Sequence, residues 1–434
     1  MSKQNLKPPR GTRDLYPEDH RFREWLFGHF RDTAHKFAFE EVDAPIVEHA
    51  ELFMRKAGEE IVDQLYHFEI HDRHLALRPE MTPSIARMVM ARAGGLRFPI
   101  RWFTVSQNWR YERMSRGRKR EHFQWNMDIY GEPTVAAEAE LIAAVLTMID
   151  AVGLARGDVK VRLNSRSLLE DSLRAGILKQ RPETFEPLCV VIDKIEKIGP
   201  DKVVDMLVDP TGEIRLEATE ARDVVQMLSL SSLDDAVNAA PKGSDAGAEL
   251  QRLWRLLEAY EIQDRVVFDA SVVRGLAYYT GVVFEAFDTR GDLRSICGGG
   301  RYDRLTETLG GQSIPAAGFG FGDVVIGELL SDMNCLPDLK RRLDDVVYAF
   351  SEDERGSAIE VANHLRGLGR SVELILGTPK LKRVIADADR DGASSLWLLG
   401  PNEVSRGVAK QRVLESGVEN EVEIANFAVP NDAP

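Results

Sequence analysis

Apolar residues recur at helical spacing between 19 and 38, where Phe22, Trp25, Leu26, Phe30, Ala34 and Phe37 share one face. An amphipathic helix is predicted there, followed by an extended stretch over 40–47 that contains Pro45. A second helix is predicted over 83–93, with Pro83 near its start. The rhythm then becomes strand-like over 100–105 and 123–130, with a charged run between, and reads as a long hairpin. Residues 135–151 carry a strong helical pattern. From about 165 to 260 strand signals are sparse, and a polar break with Gly and Ser falls near 241–247, so a helical insertion is expected. Strand character resumes over 266–270 and 282–287. A glycine-rich turn is expected at 298–300, and Gly318, Gly320 and Gly322 precede another apolar helix.

Beyond about 344 the pattern changes again. Apolar runs at 346–350, 372–376 and 396–399 alternate with helical stretches at 357–367 and 380–390, the signature of a small α/β unit with a partly parallel sheet. The expected organisation is therefore a first domain over 1–330 with a helical insertion at about 165–260, a linker over 331–343, and an α/β domain over 344–434.

Composition narrows the function classes. The chain has 434 residues, 44% hydrophobic and 29% charged, an ordinary globular balance. No apolar run approaches the roughly 18 residues a membrane helix needs, and the opening stretch has no apolar signal core, so no membrane association is expected. Three widely spaced cysteines, Cys189, Cys297 and Cys335, suit neither a disulfide framework nor a zinc site, and fit a reducing cytoplasm. No metal ligand set is expected from protein side chains. The net charge of −14 opposes nucleic-acid binding over the whole surface. Locally, however, Arg110, Arg113, Arg116, Arg118, Lys119 and Arg120 crowd the hairpin connection against only Glu112 and Glu121.

Four separated segments give that basic run its context: LRPEMTPS at 77–84, WRYERMSRGRKREHFQWNMD at 109–128, VVRGLAYYTG at 272–281 and CGGGRYDRL at 297–305. Their order and content resemble the histidyl-tRNA synthetase family of class II synthetases. The opening PPRGTRDLYP and the C-terminal α/β unit match as well, so the resemblance spans nearly the whole chain. It implies an α+β fold, with an antiparallel sheet flanked by helices for the catalytic domain and an α/β anticodon-binding domain after it. It also implies a histidine–tRNA ligase that uses ATP with Mg2+, binds L-histidine and tRNA(His), and dimerises with a second copy through a first motif that includes Pro45.

The chemistry explains the residue types. Attack of a histidine carboxylate on the α-phosphorus of ATP brings two anions together, and the planar fork of arginine suits the charge that develops. The resemblance assigns this catalytic role to Arg110 and Arg274. It assigns histidine binding to Glu80, Met81, Thr82, Gln124, Asp128, Tyr278 and Tyr279 together with those arginines. Gln124 and Asp128 lie four apart on a predicted strand and so share a face; inward polar groups there need a polar partner. Arg301 is left open between pocket and scaffold. ATP binding is expected from Arg110, Glu112, Arg118 and His122, and tRNA acceptor contacts from Arg113, Arg116 and Arg120. The glycines at 318–322 lack dinucleotide-loop spacing and instead match the third class II motif.

Several positions depart from the family pattern. Val325 stands where an arginine is frequent, His122 where a phenylalanine is, Met114-Ser115 replaces a frequent Pro-Gln, and Ala277 replaces a common Asp. Val325 cannot neutralise a phosphate. The expectation is therefore that His122 stacks on adenine and that loop arginines, Arg118 foremost, hold the phosphate tail.

Overall fold

The computed structural model describes residues 6–54, 62–274 and 278–424; Gly275, Leu276 and Ala277 lie outside them. The chain divides into two compact units, Met1–Pro337 and Asp338–Pro434.

In the first unit, α1 (Pro17–Lys36) leads to the short strands β1 (Glu40–Glu41) and β2 (Val47–His49), then α2 (Ala50–Met54), β3 (His67–Ile70), β4 (Arg73–Leu77) and α3 (Thr82–Arg92). The predicted hairpin is β5 (Ile100–Trp109) with β6 (Glu121–Tyr130), followed by α4 (Ala136–Ala151) and β7 (Val159–Ser165). Seven helices fill the next stretch: α5 (Arg166–Ala175), α6 (Phe185–Ile192), α7 (Ile195–Ile198), α8 (Pro200–Val208), α9 (Ala218–Met227), α10 (Leu233–Ala239) and α11 (Ala246–Ala259). Then come β8 (Val266–Phe268), β9 (Val282–Asp288), β10 (Cys297–Arg301), α12 (Leu305–Thr308), β11 (Ala316–Gly322) and α13 (Asp323–Asp332).

The eight-stranded sheet has the order β1-β5-β6-β11-β10-β9-β7-β8. Its pairs are antiparallel except β1 with β5 and β7 with β8. Side chains alternate across such a sheet, so β6 sends Trp125, Met127 and Ile129 into the main apolar core and Gln124, Asn126 and Asp128 to the opposite face. The core is closed by α1 and α4; Phe30 stacks on Trp125 with centroids 5.0 Å apart. The apolar face read from 19–38 thus buries Leu26, Phe30 and Ala34, at no more than 1% exposure each.

The structure overturns one expectation here. Residues 298–300 form no turn; they belong to β10, a fully buried inner strand paired on both edges. Glycine is poor in strands on local grounds. Here its neighbours demand it: a Cβ at Gly299 would meet the Gly318 carbonyl oxygen and the Phe284 ring at 2.5 Å.

The insertion carries its own core, built from Leu169, Leu173, Phe185, Leu188, Ile192, Val203, Leu207 and Val224, which also takes in Val273 from the segment before β9. The second unit is a five-stranded sheet of β12 (Asp345–Ala349), β13 (Val372–Leu374), β14 (Ser395–Leu399), β15 (Val408–Val413) and β16 (Glu419–Glu423). The order is β13-β12-β14-β15-β16, parallel among the first three and antiparallel thereafter. Helices α14 (Arg355–Gly367), α15 (Leu381–Arg390) and α16 (Pro401–Ser405) complete it. Fully buried Asp345 accepts from Arg370 and, at 2.8 Å, from the Trp397 indole.

Candidate active site

The polar face of the large sheet is floored by glycine. Gly318 and Gly320 of β11 lie beside Asp128 and Asn126 of β6, and Gly298 and Gly300 of β10 continue the row. A Cβ at Gly318 would collide with the Tyr302 hydroxyl and the Asp128 carboxylate, one at Gly320 with the Gln124 amide, and one at Gly298 with the Arg274 guanidinium. The glycines therefore let these side chains lie down over the backbone and leave a cavity above it.

That cavity is lined by Glu80, Thr82, Arg110, Gln124, Asn126, Arg274, Tyr278, Tyr279, Tyr302, Phe319 and three of the glycines. Six elements or loops meet there. The turn before α3 brings Glu80, the first residue of α3 brings Thr82, and the residue after β5 brings Arg110. Glu80, 6% exposed, accepts from the Tyr278 hydroxyl at 3.1 Å and stands 3.7 Å from an Arg110 nitrogen. Arg110 is held in turn by its Nε bond to the Pro79 carbonyl oxygen at 3.0 Å. In the lining of the same cavity, the Arg274 guanidinium pairs with Glu285 of β9 at 3.2 Å. Arg274 has φ of 58°, a left-handed conformation uncommon away from glycine. Its carbonyl oxygen accepts from Arg166 at 3.4 Å, and this buried arginine is itself paired with Glu186 of the insertion at 2.7 Å.

Two expected contacts lie elsewhere. Met81 is wholly buried in an apolar cluster with Ile85, Val272 and Tyr279 and does not line the cavity. Asp128, 1% exposed, lies one layer beneath it and accepts from the Tyr302 hydroxyl. Burial pushes the Asp128 carboxyl up to about 7, with the Glu80 charge adding to the rise. Burial likewise raises the phenols of Tyr278, Tyr279 and Tyr302, so all three stay protonated donors. Arg301 faces the other side of β10 and is scaffold: it forks onto buried Glu138 at 2.6 and 2.7 Å and bonds the Thr134 carbonyl oxygen.

A second cavity adjoins through Arg110, which lines both. Its other residues are Glu112, Gly117, Arg118, Lys119, His122, Arg294, Gly322, Val324 and Val325. Burial, then the charges of Arg110, Arg13 and Arg118, lowers His122 to about 3, so its ring is neutral at physiological pH. Arg118 pairs with Glu112. Gly117, at φ of 74°, rests over Val325; its Cβ would come within 3.2 Å of the valine methyl. Of the loop residues expected to meet tRNA, Arg113 is exposed. Arg116 is exposed but engaged by Glu328 and Asp332 at 3.1 and 2.5 Å, and Arg120 packs over the Tyr111 ring at 3.6 Å.

Asn126, Glu285, Tyr302 and Arg294 are not among the residues expected from the sequence. Asn126 is 2% exposed, and its Oδ1 has no hydrogen-bond partner. The two-residue period that linked Gln124 to Asp128 also passes through it. Glu285 interrupts the apolar run from Val282 to Phe287 in β9, the same signal that marked Gln124 and Asp128. Arg294 stands in an irregular loop and gave none.

A largely antiparallel sheet carrying two arginines that line one cavity above a glycine floor, with a buried carboxylate beside Arg110 and a cationic cavity alongside, is the catalytic unit of a class II aminoacyl-tRNA synthetase. The family model described as histidyl-tRNA synthetase matches residues 11–322, and the chain belongs to that family. The chloroplastic/mitochondrial histidine–tRNA ligase of Arabidopsis thaliana is 46% identical over 424 residues, covering 98% of this chain and 86% of that one. The histidine–tRNA ligase of Opitutus terrae is 38% identical, with 95% and 94% covered. Among solved structures, histidyl-tRNA synthetase from Nostoc sp. superposes with a TM-score of 0.76 over 98% of both chains at 23% identity. A Bacillus halodurans protein described as an ATP phosphoribosyltransferase regulatory subunit/histidyl-tRNA synthetase gives 0.74 over 91% of this chain and 98% of its own, at 22% identity. At such identities the two structures speak for the fold alone.

Proposed function

We propose that this chain activates L-histidine with ATP and transfers it to the 3′ end of tRNA(His). A histidine carboxylate oxygen bonds to the α-phosphorus while the bond to pyrophosphate breaks; the tRNA hydroxyl then displaces AMP from the adenylate. The observation that carries this reading is the pair Arg110 and Arg274, two guanidiniums lining one cavity around buried Glu80. In this reading Glu80 holds the ammonium group, Asp128 supports it by its charge from the layer beneath, Thr82, Gln124, Tyr278 and Tyr279 orient the amino acid, and the two arginines stabilise charge at the α-phosphate. ATP occupies the adjoining cavity, with the neutral His122 ring offering a face to adenine. Glu112 is the acidic residue lining that cavity, so a magnesium ion carried by the nucleotide would find its protein oxygen there; such an ion shields the phosphate charges. Arg113, exposed in the hairpin connection, is the best placed of the three loop arginines to meet the acceptor end.

Homodimerisation is part of the proposal. Ile46, Val47, Phe68 and Ile70, on or beside the small sheet of β2, β4 and β3, are 36–49% exposed, and apolar exposure of this kind suits burial by a second copy. A reducing compartment such as the cytoplasm suits three free cysteines, and no helix among the described residues is long and apolar enough to cross a membrane.

The test is histidine-dependent exchange of labelled pyrophosphate into ATP. Arg274→Ala should lower the exchange rate about 100-fold or more, since one preorganised donor contributes roughly 3 kcal/mol. Retention of exchange within about tenfold of the parent would overturn the assignment of Arg274.

A further inference from the structure

The nucleotide cavity holds more positive charge than its visible partners balance. Arg110, Arg118, Lys119 and Arg294 line it against the single carboxylate of Glu112, and His122 is neutral there. Arg118 is taken by Glu112, and Arg110 is tied to the Pro79 carbonyl oxygen. Arg294 makes no hydrogen bond or ion pair among the described residues. Its loop is nevertheless held firmly. The Thr289 amide donates to the Asp158 carbonyl oxygen at 3.0 Å, Arg290 pairs with Asp288 at 3.1 Å, Leu293 packs on the main core, and Ile296 donates its amide to Ala286 at 2.8 Å. A well-anchored loop thus presents an unpaired cation to a cavity. Arg294 is exposed as a residue, and desolvation of its guanidinium beside the cavity, then the nearby Arg118 charge, weakens its hold on its proton, as expected where cations are crowded before an anion arrives.

We propose that Arg294 holds the β- and γ-phosphates of ATP, a role this reading of the nucleotide site had given to Arg118 foremost. The inference rests on the ATP-dependent activity proposed above. The position along the nucleotide follows from the shared residue: Arg110 lines both cavities and so marks the junction where carboxylate meets α-phosphate, whereas Arg294 lines only the nucleotide cavity. Val325 lies beneath Gly117 at the loop tip, so a long cationic side chain there would have to displace the hairpin loop. Cationic charge for the tail comes instead from the β9–β10 connection, whose Arg294 lines the same cavity.

The experiment is equilibrium binding to the full chain, by calorimetry, with ATP, pyrophosphate and AMP as separate probes. Arg294→Ala and Arg294→Gln should weaken ATP and pyrophosphate about tenfold or more, as loss of a charge-assisted bond does, and leave AMP within about twofold. Unfolding midpoints should match the parent, because the side chain has no partner to lose. Unchanged ATP affinity, or equal losses for ATP and AMP, would overturn the assignment. These binding readouts need no turnover. A parent chain that bound ATP but failed in pyrophosphate exchange would count against the ligase reading and leave Arg294 to be judged on binding alone.

Discussion

Asp128 illustrates how a residue's surroundings set its behaviour. Enclosed beneath the cavity and bonded to Tyr302, its carboxyl titrates near 7 and not near 3.8. The sign follows from linkage: the folded state binds this proton more tightly than the unfolded chain, so stability is highest below about 4 and falls as pH rises toward 7. The penalty at alkaline pH from this rise is on the order of 4 kcal/mol. Asp128→Asn should therefore raise the urea midpoint at pH 8 while weakening histidine binding. The ratio of parent to variant histidine affinity should grow as pH passes upward through about 7, where the parent carboxylate ionises. A pH-independent ratio from titrations between pH 6 and 8 would show that the charge of this carboxylate does not support the ammonium. At this scale the sequence was legible wherever a polar residue interrupts an apolar strand, as Gln124 and Asp128 do. The same rule reaches Asn126 and Glu285. It does not reach Met81, whose motif position says nothing about which way its side chain turns, nor Arg294, which needs a folded loop to bring it to the cavity.

Elements with a strong period were read well, because burial of one face is what both creates the period and fixes the element. The hairpin of β5 and β6, α1 and α4 are of this kind. The glycine strand β10 has no side-chain period to read, and local propensity pointed to a turn; close approach of β11 and of Arg274 overrode it. A comparable tertiary link joins the insertion to the catalytic centre. Val273 is buried in the insertion's own core, and Arg166, fixed by Glu186, bonds the carbonyl of Arg274 in its strained conformation. Glu186→Gln should release that hold without touching either cavity. The turnover number in pyrophosphate exchange should fall about fivefold or more, from misplacement of the guanidinium, while the Michaelis constant for histidine stays within about twofold. Equal changes in both constants would mean that the pair merely stabilises the insertion.

Over the whole molecule, the net charge of −14 argues against polyanion partners, yet the nucleotide cavity and hairpin loop concentrate cations. Charge summed over a chain says little when function needs one patch, and this limited what composition could establish. The division into units was visible as a change in strand-and-helix rhythm, with the structural boundary at Pro337 and Asp338 inside the stretch read as a linker. Each unit has its own apolar clusters. Removing residues 338–434 should therefore leave a folded first unit that exchanges pyrophosphate within about threefold of the parent, since the catalytic contacts lie in that unit, but charges tRNA at least about 100-fold more slowly. Normal charging by the truncated chain would exclude an anticodon-reading role for the second unit.

The glycine floor carries a consequence for how this pocket can change over generations. Any coding change at Gly298, Gly318 or Gly320 adds a Cβ, and at each position that atom would collide with a side chain of the site. At Gly298 and Gly320 the atom met is the end of a flexible side chain, Arg274 or Gln124, which could yield only by leaving its place in the site, and at Gly318 a Cβ would also meet the Met127 carbonyl oxygen at 2.8 Å. A lineage selecting for a differently shaped amino acid would have to begin at the side chains above the floor, Asn126 or Gln124 among them, while the backbone beneath stays locked by its own neighbours.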